Sequence, residues 1–277
     1  MTVVPSIPLN TGATIPQLGF GTFKVGQAVA QEVLETAFEV GYRHIDTATI
    51  YGNEAEVGAA IAASGIAREE LFVTTKLWDD RHRANDVHGG IEHSLESLGL
   101  DYVDLYLIHW PLPMHRLYVD VWKGMEEVHA EGLARAVGTS NFTIEHLKDV
   151  LAAASVVPAV NQSETHPLFA QPDLRAFQDE HGIVHESWGP LGQNRYPLDS
   201  LPAVVAAAAA HGRTAAQIIL RWHVQSNLVV VPKASSREHM QANFDIFDFE
   251  LTPAEMAAID ALDAGVRLAE DPYTFDD

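Results

Sequence analysis

The feature that most restricts the fold of this 277-residue chain is a regular alternation of short apolar runs with longer amphipathic stretches. Runs at 18–20, 44–46, 71–76, 103–109, 134–138, 159–162, 183–187 and 228–231 read as strands. Between the first two, Val29, Val33, Ala37 and Val40 alternate with Glu32, Glu35 and Glu39 at helical spacing, and Gly41 closes the helix over 28–40. Further helices are predicted over 54–63, 87–98, 119–131, 143–154 and 172–180. Ser200 and Thr214 open two more, the second ending about 224, and the last two span 237–243 and 253–262. The run 103–109 is nearly continuous in apolar character, as in a strand buried on both faces of a parallel sheet. Eight strands, each followed by helix, favour one parallel sheet with crossover helices. That sheet either closes as a (β/α)8 barrel or lies open. No linker or low-complexity tract divides the chain, so 1–277 is expected to be one domain with a short C-terminal tail over 263–277.

Composition removes several classes of function. Seventeen basic against 38 acidic residues leave a net charge of −21, which repels phosphate backbones and anionic membranes. Any anionic ligand then needs a local cation or a helix N-terminus. With no cysteine there is no disulfide, thiolate metal site or cysteine nucleophile. The longest apolar run, 203–210, is far short of a membrane span, and no basic residue precedes Lys24. A soluble, cytoplasmic protein without nucleic-acid or membrane partners is expected.

The familiar cofactor and nucleophile motifs are missing. Gly19-Phe20-Gly21-Thr22-Phe23-Lys24 begins like a dinucleotide fingerprint but has lysine where the third glycine belongs. There is no Walker loop, G-x-S-x-G elbow or H-E-x-x-H. The 14 histidines are scattered; His181 and His185 straddle Gly182, so no metal site is expected.

A barrel carries its chemistry at the C-terminal ends of its strands. There stand Asp46, Lys76 and His109, each directly after an apolar run, with Tyr51 shortly after the second strand. A buried Asp–Lys pair that simply closes the barrel end is the plainer account of these residues. The chemical account is more specific. A phenol near pKa 10 is a weak donor at neutral pH, and an adjacent ammonium strengthens it. An aspartate keeps that ammonium charged and placed, and a neutral histidine orients a substrate carbonyl. Together they make a general acid for protonating an oxyanion as hydride arrives at carbon.

Across nearly the whole chain the sequence resembles the aldo-keto reductases. The resemblance rests on Leu18-Gly19-Phe20-Gly21-Thr22-Phe23, Gly41-Tyr42-Arg43-His44-Ile45-Asp46-Thr47-Ala48, Gly138-Thr139-Ser140-Asn141-Phe142 and Val231-Pro232-Lys233. It implies the closed barrel and an intact catalytic tetrad of Asp46, Tyr51, Lys76 and His109. Through Glu186-Ser187-Trp188-Gly189-Pro190-Leu191-Gly192-Gln193, the chain is most similar to the bacterial 2,5-diketo-D-gluconic acid reductases.

The resemblance further implies NADP(H) lying across the barrel mouth. Ser140, Asn141 and Gln162 would meet the nicotinamide carboxamide, with Asp46 beside them, and Trp188 would stack on the ring. Gly189, Leu191 and Gln193 would line the pyrophosphate, and Thr22 and Phe23 would border the ribose. Lys233, Ala234, Ser235 and His239 would surround the 2′-phosphate, helped by the N-terminus of a helix starting near Ser236. Asn243 would approach the adenine. Ala234, His239 and Ala242 depart from the family's usual Ser, Arg and Glu or Gln. Histidine is shorter than arginine and mostly uncharged at neutral pH, so some NADH use is expected beside NADPH. Ser163 and Thr165 also depart from the pattern and are expected to lie outside the site.

Phe23, Tyr51, Trp78, His109 and Trp110 are the expected substrate contacts. The loop over 110–116 and the tail are short, which points to an open, wet pocket for a sugar-acid dicarbonyl or glyoxal. The expectation is a monomeric NADPH-dependent carbonyl reductase. A broad aldehyde or methylglyoxal reductase is the alternative, and a non-catalytic NADP(H)-sensing or structural barrel the remoter one.

Overall fold

The structure is a computed structural model that describes residues 3–84 and 86–276. Ten strands are formed among these described residues: β1 (Ser6–Pro8), β2 (Thr14–Pro16), β3 (Phe20–Gly21), β4 (His44–Asp46), β5 (Phe72–Leu77), β6 (Val103–Ile108), β7 (Ala134–Ser140), β8 (Val160–Glu164), β9 (Val184–Trp188) and β10 (Val229–Val231). β3 to β10 are parallel and neighbour one another in chain order. Leu18 bridges Val230, and the Gly19 and Gly21 amides donate to Val230 O at 2.9 Å and Pro232 O at 3.1 Å, which joins the first and last strands. The sheet therefore closes into the expected (β/α)8 barrel, its first strand running 20–21 rather than 18–20.

Eleven helices surround it among the described residues: α1 (Gln27–Val40), α2 (Glu54–Ser64), α3 (Asp79–Ala84), α4 (Val87–Leu98), α5 (Tyr118–Ala130), α6 (Ile144–Ala153), α7 (Pro172–Glu180), α8 (Pro202–His211), α9 (Ala215–Gln225), α10 (Arg237–Phe244) and α11 (Pro253–Asp260). Local chemistry explains their ends. Thr143, Thr214 and Thr252 cap α6, α9 and α11 through reciprocal boxes with His146, Gln217 and Glu255. Gly41 ends α1 at φ 126°, where an added Cβ would sit 2.9 Å from the Phe244 ring. The helix predicted from Ser200 starts at Pro202, after a 3₁₀ turn over Leu198–Ser200, because proline suits the first helical position.

Two features were not foreseen. β1 and β2 form an antiparallel hairpin whose Ile7, Leu9 and Ile15 pack with Phe72, Leu105, Ala159 and Val229. Asn10 at its turn donates to Pro158 O at 3.1 Å and Gly182 O at 3.3 Å, just before β8 and β9, so the hairpin plugs the N-terminal end of the barrel. The other is α3, in the loop after β5. Among the described residues no single helix is long and apolar enough to cross a membrane.

Candidate active site

The mouth of the barrel gathers the side chains that ended the apolar runs. Asp46 is the last residue of β4, Lys76 the penultimate residue of β5, and His109 the first residue after β6. Tyr51 closes the 3₁₀ turn Thr49–Tyr51 that follows β4. Lys76 is fully buried, and its Nζ donates at 2.8 Å to both Asp46 carboxylate oxygens and to Thr47 O. The same ammonium lies 3.5 Å from the Tyr51 hydroxyl and 5.1 Å from its ring centre. The tetrad suggested by spacing is thus one connected cluster.

Charge and burial set the protonation states. Burial alone would lower the Lys76 pKa, but Asp46 and its other neighbours hold it above the ordinary lysine value, so it is charged. Burial pushes the His109 pKa well down, and Lys76 and His82 push the same way, so its ring is neutral. Its Nδ1 is buried without a partner, which leaves Nε2 as the accessible ring nitrogen. For Tyr51 the outcome differs from expectation. Lys76 pulls its pKa down as anticipated, but burial is the larger influence and moves it up to about 12. The phenol therefore holds its proton firmly until a stronger base, such as an alkoxide, forms beside it.

The aromatic residues form the rim. Phe23 packs against Tyr51 with ring centres 5.1 Å apart, and His109 meets Tyr51 at 5.6 Å and Trp78 at 5.1 Å. Trp110 is different: Phe275 from the tail stacks on it at 4.3 Å. The tail is tied across the mouth at several points. Leu268 and Ala269 amides donate to Glu164 at 2.6 and 3.1 Å, Tyr273 bonds Glu145, and Asp276 pairs with His115 at 3.0 Å. The open, wet pocket expected from loop length is thus corrected on this side, where the tail covers Trp110.

The residues expected to hold a cofactor are already organised. Trp188, partly exposed at the end of β9, donates from Nε1 to Asn141 Oδ1 at 2.9 Å. Asn141 in turn donates to His109 O at 3.0 Å and Ser140 Oγ at 3.2 Å. Gln162, expected to meet the carboxamide, donates to Asp46 Oδ2 at 2.7 Å and so is linked to the tetrad. Gly189 has φ 61°, Leu191 is partly buried against the core, and Gln193 is exposed in a 3₁₀ turn. Thr22 and Asn243 are buried, as is Ala234. Lys233 is exposed, bonds Ser235 Oγ at 2.6 Å and has no carboxylate at ion-pair distance among the described residues. It precedes α10, whose first turn is capped by Ser236, and His239 lies exposed in that turn. An unneutralised ammonium beside a helix N-terminus fits an anionic phosphate in an otherwise acidic chain. Ser163 and Thr165 bond Asn161 at 3.3 Å and His185 at 2.7 Å and are buried in the barrel wall.

Two buried polar groups beside the tetrad carry no sequence expectation. Asn53 braces the mouth by accepting from Thr47 Oγ1 at 2.9 Å and donating to Thr22 O and Val25 O. Glu186, in the middle of β9, points into the barrel near Asp46 and Lys76. A lone acidic residue inside a buried strand was the available signal for it.

A closed parallel barrel with a polar cluster at its C-terminal mouth defines a TIM-barrel enzyme. The aldo/keto reductase family model matches residues 17–264, and the chain belongs to that family. It is 49% identical over 272 residues to an aldo-keto reductase of Mycolicibacterium vanbaalenii, covering 98% of this chain and 97% of the relative. It is 44% identical to the morphine 6-dehydrogenase of Pseudomonas putida, with 98% and 96% covered. Among solved structures, a mutant of Gox0644 in complex with NADPH superposes with a TM-score of 0.93 at 38% identity, over 99% of both chains. An aldo/keto reductase of Brucella melitensis gives 0.88 at 43% identity, over 94% of this chain and 100% of that one.

Proposed function

We propose that this chain reduces the carbonyl of small polar aldehydes and ketones, with Tyr51 as the proton donor. As an aldo/keto reductase it is an NADP(H)-dependent oxidoreductase. When bound, NADPH supplies the hydride. The observation that carries the Tyr51 assignment is the Lys76 ammonium held between the Asp46 carboxylate and the Tyr51 hydroxyl. His109, neutral and with Nε2 accessible, orients the carbonyl oxygen toward Tyr51. As negative charge grows on that oxygen, the Tyr51 O–H bond breaks and its proton passes to it, giving the alcohol. The tyrosinate left behind faces Lys76, which offsets its charge. Ser140, Asn141, Gln162 and Trp188 would hold the nicotinamide, and Lys233 with Ser235 the 2′-phosphate.

The proposed substrate is a sugar-acid dicarbonyl such as 2,5-diketo-D-gluconate, acted on by a monomeric cytoplasmic enzyme. The polar tetrad between Phe23 and Trp78 supports a small hydroxylated carbonyl. The Trp110–Phe275 stack favours a second reading, in which less polar aldehydes or ketones are also taken. A panel containing 2,5-diketogluconate, methylglyoxal and an aromatic aldehyde, followed by NADPH absorbance, separates them. Highest kcat/KM on the diketogluconate is the expected outcome. Higher efficiency on methylglyoxal would establish the detoxifying reductase instead, and tight NADPH binding with no oxidation on any carbonyl would indicate a non-catalytic barrel.

A further inference from the structure

Beneath the tetrad lies a second polar pair that the reaction as described does not use. Glu186 and His44 are both fully buried, with His44 Nε2 3.6 Å from Glu186 Oε1. The ring is placed by design of the backbone. An added Cβ on Gly19 would lie 2.7 Å from its Nδ1, so only glycine there leaves room for it, and Phe72 packs edge-on at 4.9 Å. His44 Nδ1 lies 3.3 Å from Pro16 O, which can only accept, so Nδ1 carries the hydrogen. In the neutral ring Nε2 then presents a lone pair, shared between the Thr74 hydroxyl at 3.3 Å and Glu186. Neither Glu186 oxygen has a hydrogen bond of ordinary geometry among the described residues; the nearest donor, the Gln162 amide, is committed to Asp46 at 2.7 Å and reaches Glu186 only weakly. A carboxylate set against that lone pair would be repelled and poorly solvated; a protonated carboxyl faces it favourably.

We propose that Glu186 holds a proton directed at His44 and acts as a positioning residue that sets the acid strength of Tyr51. This rests on Tyr51 being the donor. With Glu186 neutral, Lys76 faces one carboxylate, Asp46, and its charge is left to favour proton release from Tyr51. With Glu186 ionised, a second negative charge enters the same cavity, opposes the tyrosinate and weakens the donor. The surroundings of Glu186 account for the direction. β4 contributes His44 and Asp46, β5 contributes Thr74 and Lys76, β8 contributes Gln162 beside it, and β10 pairs Val229 with it. Burial, with Asp46 adding to it and Lys76 and the Gln162 amide opposing, raises the Glu186 pKa to about 8, while burial lowers that of His44 to about 4. The proton therefore belongs to Glu186 at neutral pH and leaves as the solution turns alkaline.

The test is the pH profile of carbonyl reduction by wild type and Glu186→Gln, with Tyr51→Phe as the control for the donor. Glutamine keeps the neutral shape but cannot ionise. The wild-type rate is expected to fall as pH rises through about 8, and in Glu186→Gln that limb should move upward by about one pH unit or more. Wild-type infrared difference spectra should show a protonated-carboxyl band that disappears over the same range and is absent from Glu186→Gln. A folded Glu186→Gln enzyme with the wild-type basic limb would overturn the proposal, even where Tyr51→Phe is inactive. Should Glu186→Gln fail to fold, the spectra decide: a wild type without such a titrating band contradicts it. An active Tyr51→Phe enzyme would instead remove the donor assignment while leaving the band to report on Glu186.

Discussion

At the scale of single residues, Asp46, Lys76 and His109 were legible because a charged or polar side chain at the end of an apolar run has few places to go except the mouth of a barrel. Tyr51 was legible from its place in the loop that follows. The Gln162–Asp46 hydrogen bond was not, since it joins residues 116 positions apart and depends on which way each side chain points across the closed barrel. Nor was the strength of the acid, because burial, the largest influence on Tyr51, is a property of everything around it. The same network makes Lys76 costly to lose. Lys76→Met would leave the buried Asp46 carboxylate without its cation, and breaking a buried pair typically costs about 3–5 kcal/mol. A lowered urea midpoint together with a turnover loss of about 10²–10⁴-fold is expected. A variant as stable and as active as wild type would show that the pair neither holds the mouth together nor tunes the donor.

Among the elements, the barrel strands and the long helices were visible, the helices because they bury one face at helical spacing and the strands because, buried on both faces, they read as short apolar runs. The helix start at Thr214 was read directly from residue type, and the structure makes it a cap. The hairpin of β1 and β2 was invisible, since two three-residue strands with proline at their ends carry too little alternation to register. The six residues of α3 are similarly too few for a helical period. The tail misled for another reason: its length was known, but its course is fixed by Glu164, Trp110, His115 and Glu145, which lie on four different parts of the barrel wall and its loops. Length alone therefore said nothing about whether it covered the mouth.

For the molecule as a whole, burial of neutral histidines dominates the response to acid. His44, His82, His185 and His223 are pushed by burial from 6.5 to about 4, 4, 3 and 4, and His109 is also well below its ordinary value. Between those values and about pH 6.5 the unfolded chain holds protons that the folded chain refuses, so stability is full above that window and falls as pH falls through it. Each ring contributes a slope of about 1.4 kcal/mol per pH unit there. Glu186 acts with the opposite sign, because its folded pKa is raised from 4.5 to about 8; its contribution is lost as pH rises through that range. Glu54, whose pKa burial also raises, acts the same way, and these two groups do not offset five rings. Urea midpoints should therefore drop steeply from about pH 6.5 toward about pH 5, and a flat profile would mean that these rings are hydrated or charged in the folded state.

The central claim, that Tyr51 delivers the proton as the carbonyl is reduced, is tested most directly by single-turnover NADPH oxidation in Tyr51→Phe. Removing one hydroxyl from a partly exposed ring leaves the Lys76–Asp46 pair intact, so NADPH affinity should change little. The rate of the chemical step should fall by about 10²–10⁴-fold, as for loss of a general acid. A Tyr51→Phe enzyme that binds NADPH normally and keeps most of the wild-type single-turnover rate would contradict the account.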